Sequence, residues 1–143
     1  MDLRPLTPRY HVAPQLTPAD MPAIAAAGYT MVICNRPDNE VPPELQADAL
    51  RRAALAAGLR FELLALDQQT LTPENAAHQR DLIAGADGKV LAYCRTGTRC
   101  SVIWGMGQAA ALTVPGVLQQ AAAAGYQLDG YRPLFEFCAA NGV

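Results

Sequence analysis

A cysteine stands where an apolar run gives way to a short basic segment. Val90-Leu91-Ala92-Tyr93 leads into Cys94-Arg95-Thr96-Gly97-Thr98-Arg99, and a helical pattern follows from about Cys100. A thiol at such a strand-to-helix junction meets converging backbone N–H groups and the positive end of the helix. Both favour the thiolate, so Cys94 is expected to ionise at neutral pH and to serve as a nucleophile. Gly97 lets the backbone curl around a bound group. Arg99 supplies a planar, permanently charged fork able to hold an oxyanion opposite the sulfur. Arg95, Thr96 and Thr98 complete the anion-binding set, with Arg95 projecting outward to steer anions. Two arginines, two threonines and a glycine suit an anion cradle better than a core, which argues against a merely structural cysteine.

The elements that must carry this loop read as follows. Thr17-Pro18 opens a helix that Gly28 stops, and Tyr29–Cys34 is an apolar strand closed by turn residues Asn35–Asn39. Pro42-Pro43 starts a second helix running to about Ala57, Arg60–Leu66 is a second strand, and Thr72-Pro73-Glu74 opens a third helix ending near Gly85. Lys89–Tyr93 is short and apolar on both faces, as a central parallel strand should be. Helices then follow over about 100–112, 113–125 and 131–140, and Arg9–Ala13 predicts an edge strand. Alternating strands and helices predict a single α/β domain over residues 1–143, with a central, mostly parallel sheet flanked by helices.

Composition narrows the class. Hydrophobic residues make up 51% of the 143 and charged residues 17%, which excludes a disordered tail. A net charge of −2 removes the main electrostatic argument for nucleic acid or an anionic membrane. No apolar run is long enough to span a bilayer and the N-terminus lacks a signal-peptide core, so a cytoplasmic protein is expected. Four cysteines, Cys34, Cys94, Cys100 and Cys138, are too irregular for a disulfide framework, and His11 and His78 stand far from all of them. No metal and no cofactor is implied. Cys34 and Cys138 lie in apolar segments and read as inert, as Trp104 reads as core. Arg36 sits after the first strand, where it either contacts the distal part of an anionic substrate or pairs with Asp38 or Glu40 to set the turn.

The Cys94–Arg99 loop resembles the rhodanese sulfurtransferase signature Cys-Arg-x-Gly-x-Arg. It also resembles the His-Cys-x5-Arg loop of tyrosine and dual-specificity phosphatases, with Tyr93 in place of the histidine and Arg99 one residue early. The longer stretches TPADMPAIAAAGYTMVICNRPDNE, TPEN and VLAYCRTGTRCSVIW resemble the beta-lactamase-hydrolase-like, phosphatase-like domain family from about Pro14 to about Gly107. That resemblance implies a dual-specificity-phosphatase-like fold with the cysteine loop between the last core strand and a buried helix. It also implies a role for Asp67, since phosphatases of this class carry a general-acid aspartate in that neighbourhood; an ordinary turn aspartate is the other reading. Family members usually have serine where Cys100 stands. Cys100 is therefore either a redox partner able to attack an oxidised or persulfidated Cys94, or a small helix-start residue facing the core.

Three functions follow. The shortened loop encloses less volume, which favours sulfane-sulfur transfer through a Cys94 persulfide. Phosphomonoester hydrolysis through a phosphocysteine is the alternative, and a non-catalytic anion- or redox-sensing module is the third. The expected partner is a small anionic or persulfide substrate, or a phosphorylated molecule.

Overall fold

A computed structural model describes residues 1–143. Five strands form one sheet: β1 (Arg4–Pro5), β2 (Tyr10–Ala13), β3 (Tyr29–Cys34), β4 (Arg60–Leu63) and β5 (Lys89–Tyr93). Their order is β1-β2-β5-β3-β4, and every neighbouring pair is parallel except β1 with β2. The helices are α1 (Met21–Ala26), α2 (Ala47–Ala56), α3 (Pro73–Ala84), α4 (Thr98–Leu112), α5 (Val114–Ala123) and α6 (Arg132–Ala140). The α/β expectation, a central and mostly parallel sheet flanked by helices, is met.

β5 lies at the centre, as its two apolar faces required. Val90 and Ala92 face the layer of α3 to α6, while Leu91 and Tyr93 face the layer that includes Met21, Ile24, Leu50 and Ala54 of α1 and α2. α2 shows why: Ala47, Leu50 and Ala54 fall on one helical face and are all buried.

Several boundaries move, each for a local reason. The strand expected at the sheet edge, β2, is covered on its outer side by β1, whose Pro5 suits an edge because it has no N–H to pair. The helix expected from Thr17 begins as a 3-10 turn, Pro18–Asp20, before α1. The helix expected from Pro42 likewise begins as a 3-10 turn, Pro43–Leu45, breaks at extended Gln46 and restarts at Ala47, where the Asp38 carboxylate accepts the Ala47 N–H at 2.8 Å. β4 stops at Leu63 rather than Leu66, although the Leu64 and Leu66 N–H groups still donate to the Cys34 and Asn35 carbonyls at 2.9 Å. α4 starts at Thr98, two residues before the expected Cys100.

The register brings the site together. Ala13 and Cys34 both pair with Tyr93, and Leu63 pairs with Cys34. The segments that leave these ends, carrying Gln15, Asn35, Arg36, Asp67 and Cys94, therefore share the carboxyl edge of the sheet.

Candidate active site

Cys94 leaves β5 with its sulfur buried, 1% of the residue being exposed. Gly97 then turns the chain at φ +92° and serves as the N-cap of α4. With Thr98 as first helical residue, the unpaired N–H groups of the opening turn lie directly after the loop. The Gly97 N–H donates to Cys94 Sγ at 3.1 Å. The thiol is lowered to about 5 by hydrogen bonding, first from the Cys100 thiol and, after the opposing effect of burial, from the N–H groups of Cys100, Thr96 and Gly97. Burial pushes the Cys100 thiol up, and the neighbouring Cys94 adds to that shift. Cys94 thus ionises more readily than its neighbour Cys100, and the Gly97 N–H is the donor that meets its sulfur.

Arg99 does not hydrogen-bond the sulfur. Its Nη1 donates to Glu40 Oε2 at 2.8 Å and to the Leu66 carbonyl at 2.9 Å, and its Nη2 donates to Glu40 Oε1 at 2.8 Å. Three of its five N–H groups are thereby used. The Nε–H and the second Nη2–H, which together form the lateral fork of a guanidinium, have no protein partner and match two oxygens of an oxyanion. Hydrogen bonding to Glu40 raises the Arg99 pKa, and the charge on Cys94 raises it further.

Glu40 is the residue that reading the sequence did not join to the loop. Its Oε1 also accepts Arg36 Nε at 3.1 Å. Two further N–H groups of Arg36 donate to the Glu40 carbonyl and Gln15 Oε1, both at 3.2 Å. Arg36 therefore makes the pairing with Glu40 that was one of its two expected roles, and through Glu40 it braces Arg99. No local pattern announces this, because Glu40 and Arg99 are far apart in sequence.

Asp67 lies on the surface beyond β4. Its Oδ1 accepts the N–H groups of Gln69 at 2.8 Å and Thr70 at 3.1 Å, while Oδ2 has no protein partner. Asp67 and Arg99 line one recess of about 270 Å³ with Glu40, Gln68, Leu71 and Tyr131. Arg95 is exposed and its side chain is unpaired, as expected of an outward position. The Thr96 and Thr98 hydroxyls bond each other at 3.0 Å rather than turning toward the sulfur.

Beneath the loop runs a buried polar seam. Asn35 and Gln79 exchange amide hydrogen bonds at 2.8 and 2.9 Å, Gln79 donates to the Tyr10 hydroxyl at 3.0 Å, and Tyr10 donates to the Cys100 carbonyl at 2.8 Å. It links β3, α3 and β2 to the first turn of α4. In sequence, Gln79 is indistinguishable from any surface glutamine.

Residues 2–111 match the family model described as beta-lactamase hydrolase-like protein, phosphatase-like domain. The chain belongs to that family. A beta-lactamase hydrolase-like protein of Agrobacterium fabrum is 32% identical to this phosphatase-like domain over 101 residues, covering 71% of the chain but 23% of the relative. The chain thus spans about a quarter of that curated relative's length. A candidate phosphatase from Neisseria meningitidis superposes with a TM-score of 0.86 at 34% identity, over 96% of this chain and 99% of that one. TpbA of Pseudomonas aeruginosa, crystallised with phosphotyrosine, shares the fold with a TM-score of 0.63 at 15% identity, over 99% of this chain and 91% of that one. No helix of this phosphatase-like domain is long and apolar enough to cross a membrane.

Proposed function

We propose that the chain hydrolyses phosphate monoesters through a phosphocysteine on Cys94. The observation that carries this reading is the recess that Asp67 and Arg99 both line, which opens a carboxyl group and the guanidinium that follows the thiolate loop onto one space. The Cys94 thiolate attacks phosphorus and the ester oxygen departs, taking its proton from Asp67. Water then cleaves the S–P bond, with Asp67 accepting a proton and Cys94 leaving as thiolate. The free fork of Arg99 and the loop N–H groups hold the non-bridging oxygens, whose charge they offset most as the transition state forms. Membership of the phosphatase-like family and the phosphotyrosine bound by TpbA support a phosphorylated substrate.

One feature favours a second reading, sulfane-sulfur transfer: Arg99 follows Cys94 one residue sooner than in the phosphatase loop, and a smaller bowl suits a single sulfur atom. A paired assay separates the two. Turnover of an aryl phosphate that vanishes in Cys94→Ser supports hydrolysis. A mass gain of one sulfur after incubation with thiosulfate, absent in the same variant and without phosphate turnover, overturns it.

Cys100 is proposed as the redox partner of the same site. A hydroperoxide oxidises the Cys94 thiolate to a sulfenic acid, its O–O bond breaking to release hydroxide or alkoxide. The Cys100 thiol then attacks that sulfur, water leaves, and a disulfide closes.

A further inference from the structure

Tyr126 reaches the loop from the far side. It follows α5, where Gly125 turns the chain at φ +96°, and only 8% of it is exposed. Its N–H closes on the Ala121 carbonyl at 2.9 Å, and the Arg4 guanidinium lies 5.5 Å from the centre of its ring. The hydroxyl donates to the Thr96 carbonyl at 3.0 Å.

That carbonyl belongs to the same peptide unit as the Gly97 N–H. A trans peptide is planar and its C=O and N–H point in opposite directions, so fixing one fixes the other. Here the carbonyl end is held by Tyr126, and the N–H end meets Cys94 Sγ at 3.1 Å. The ring packs so closely on Gly97 that any Cβ there would collide with the tyrosine hydroxyl. A peptide next to a glycine flips readily when nothing holds it. In the flipped orientation a carbonyl dipole, not an N–H, would face the sulfur and any bound anion.

We propose that Tyr126 is a positioning residue for Cys94, anchoring the Thr96–Gly97 peptide so that its N–H is aimed at the sulfur. The inference rests on Cys94 being the reactive group proposed above. Accepting a hydrogen bond at the carbonyl also polarises the peptide and strengthens its N–H as a donor. Burial pushes the Tyr126 hydroxyl up to about 12, so it remains a donor throughout the neutral range.

The test is Tyr126→Phe, which removes the hydroxyl and keeps the ring between Arg4 and Gly97. Alkylation of Cys94 by iodoacetamide is followed against pH by peptide mass, with Cys34, Cys100 and Cys138 as internal reporters, since burial raises those three thiols, keeps them protonated and leaves them to react on unfolding. The titratable groups facing Cys94 are Tyr10 on β2, Cys34 on β3, Arg99 and Cys100 on α4, and Tyr126 itself; burial raises every thiol and phenol among them, and Arg99 stays charged. None of them titrates in the acidic range, so the midpoint reports Cys94. It is expected to rise by about one pH unit in the variant, the size of one lost hydrogen bond to an ionised group. An unchanged midpoint in a folded variant overturns the proposal. Aryl phosphate turnover by the wild type is scored separately: a shifted midpoint without turnover removes the hydrolase reading and leaves the positioning role standing. Turnover with no shift does the reverse.

Discussion

Glu40 grips Arg99 end-on, through both terminal nitrogens, and leaves the lateral fork of the guanidinium without a partner. The pair is charged on both sides over a wide range. Hydrogen bonding to Arg99 lowers the Glu40 carboxyl most; burial opposes it, and hydrogen bonding to Arg36 lowers it further. A glutamate lowered in this way contributes stability above its unfolded value and loses it as pH falls through the folded one.

Breaking this grip should be felt in binding. Glu40→Ala frees Arg99 to swing, and the fork is then no longer preset for an oxyanion. We expect kcat/KM for an aryl phosphate to fall by roughly 10- to 100-fold, about 1.4–2.8 kcal/mol, and inhibition by inorganic phosphate or vanadate to weaken in parallel. Arg99→Lys should not restore it, because an ammonium cannot serve two oxygens and Glu40 from one plane. Steady-state kinetics on the two variants checks both statements.

Asp67→Asn separates acid catalysis from a turn role. If the carboxyl protonates the leaving oxygen, the loss should be roughly 100-fold with an alkyl phosphate and far smaller with a good aryl leaving group. A loss that ignores the leaving group would reduce Asp67 to the turn its Oδ1 bonds describe. A series of substituted phenyl phosphates makes the measurement.

The Cys94 thiol is lowered to about 5, chiefly by hydrogen bonding from Cys100. Alkylation should therefore be fully developed at neutral pH and fade as pH falls through about 5. The folded state binds fewer protons than the unfolded chain between its own value and the ordinary thiol value of 9.0, so this contribution to stability rises with pH across that window and is lost below it. Thermal melts at several pH values should show a shallower rise for Cys94→Ala than for the wild type.

Cys100 offers a second way to probe that contact. Cys100→Ala removes a donor and should shift the alkylation midpoint upward, while Cys100→Ser keeps a hydroxyl donor and should hold it near the wild-type value. Under hydrogen peroxide, the wild type should form a 94–100 disulfide that dithiothreitol reverses, whereas either variant should proceed to sulfinic acid. Peptide mapping by mass distinguishes these products.

The buried seam carries a stability prediction. Asn35→Ala strands Gln79 and the Leu64 carbonyl, both of which Asn35 serves. Leaving buried polar groups unpaired should cost about 2–3 kcal/mol, read by denaturant unfolding.

Local chemistry was the legible part of this molecule. The apolar run at Lys89–Tyr93 located the central strand, and Cys94 with Gly97 and Arg99 located the loop, because each signal lies within a few neighbouring residues. What escaped was set by contacts across the chain. Arg99 was expected to hold an oxyanion opposite the sulfur, and what did not show was that its end is gripped by Glu40, which arrives from the turn after β3. Tyr126 and Gln79 look like common residues on or beside helices until the sheet brings them under the loop. The start of α4 was misplaced because Gly97, read as loop freedom, is also the cap of the helix. The loop length pointed toward sulfur chemistry, whereas the rest of the fold is that of phosphatases.

α4 is buried along most of its length, and Gly105 sits where a methyl group would strike Phe135 and Val117. The Cys94 loop is therefore mounted on an axle that cannot be thickened at Gly105 without dislodging α5 and α6. Variation that reshapes the recess is therefore open at Gln68, Leu71 and Tyr131, which wall it without belonging to that axle.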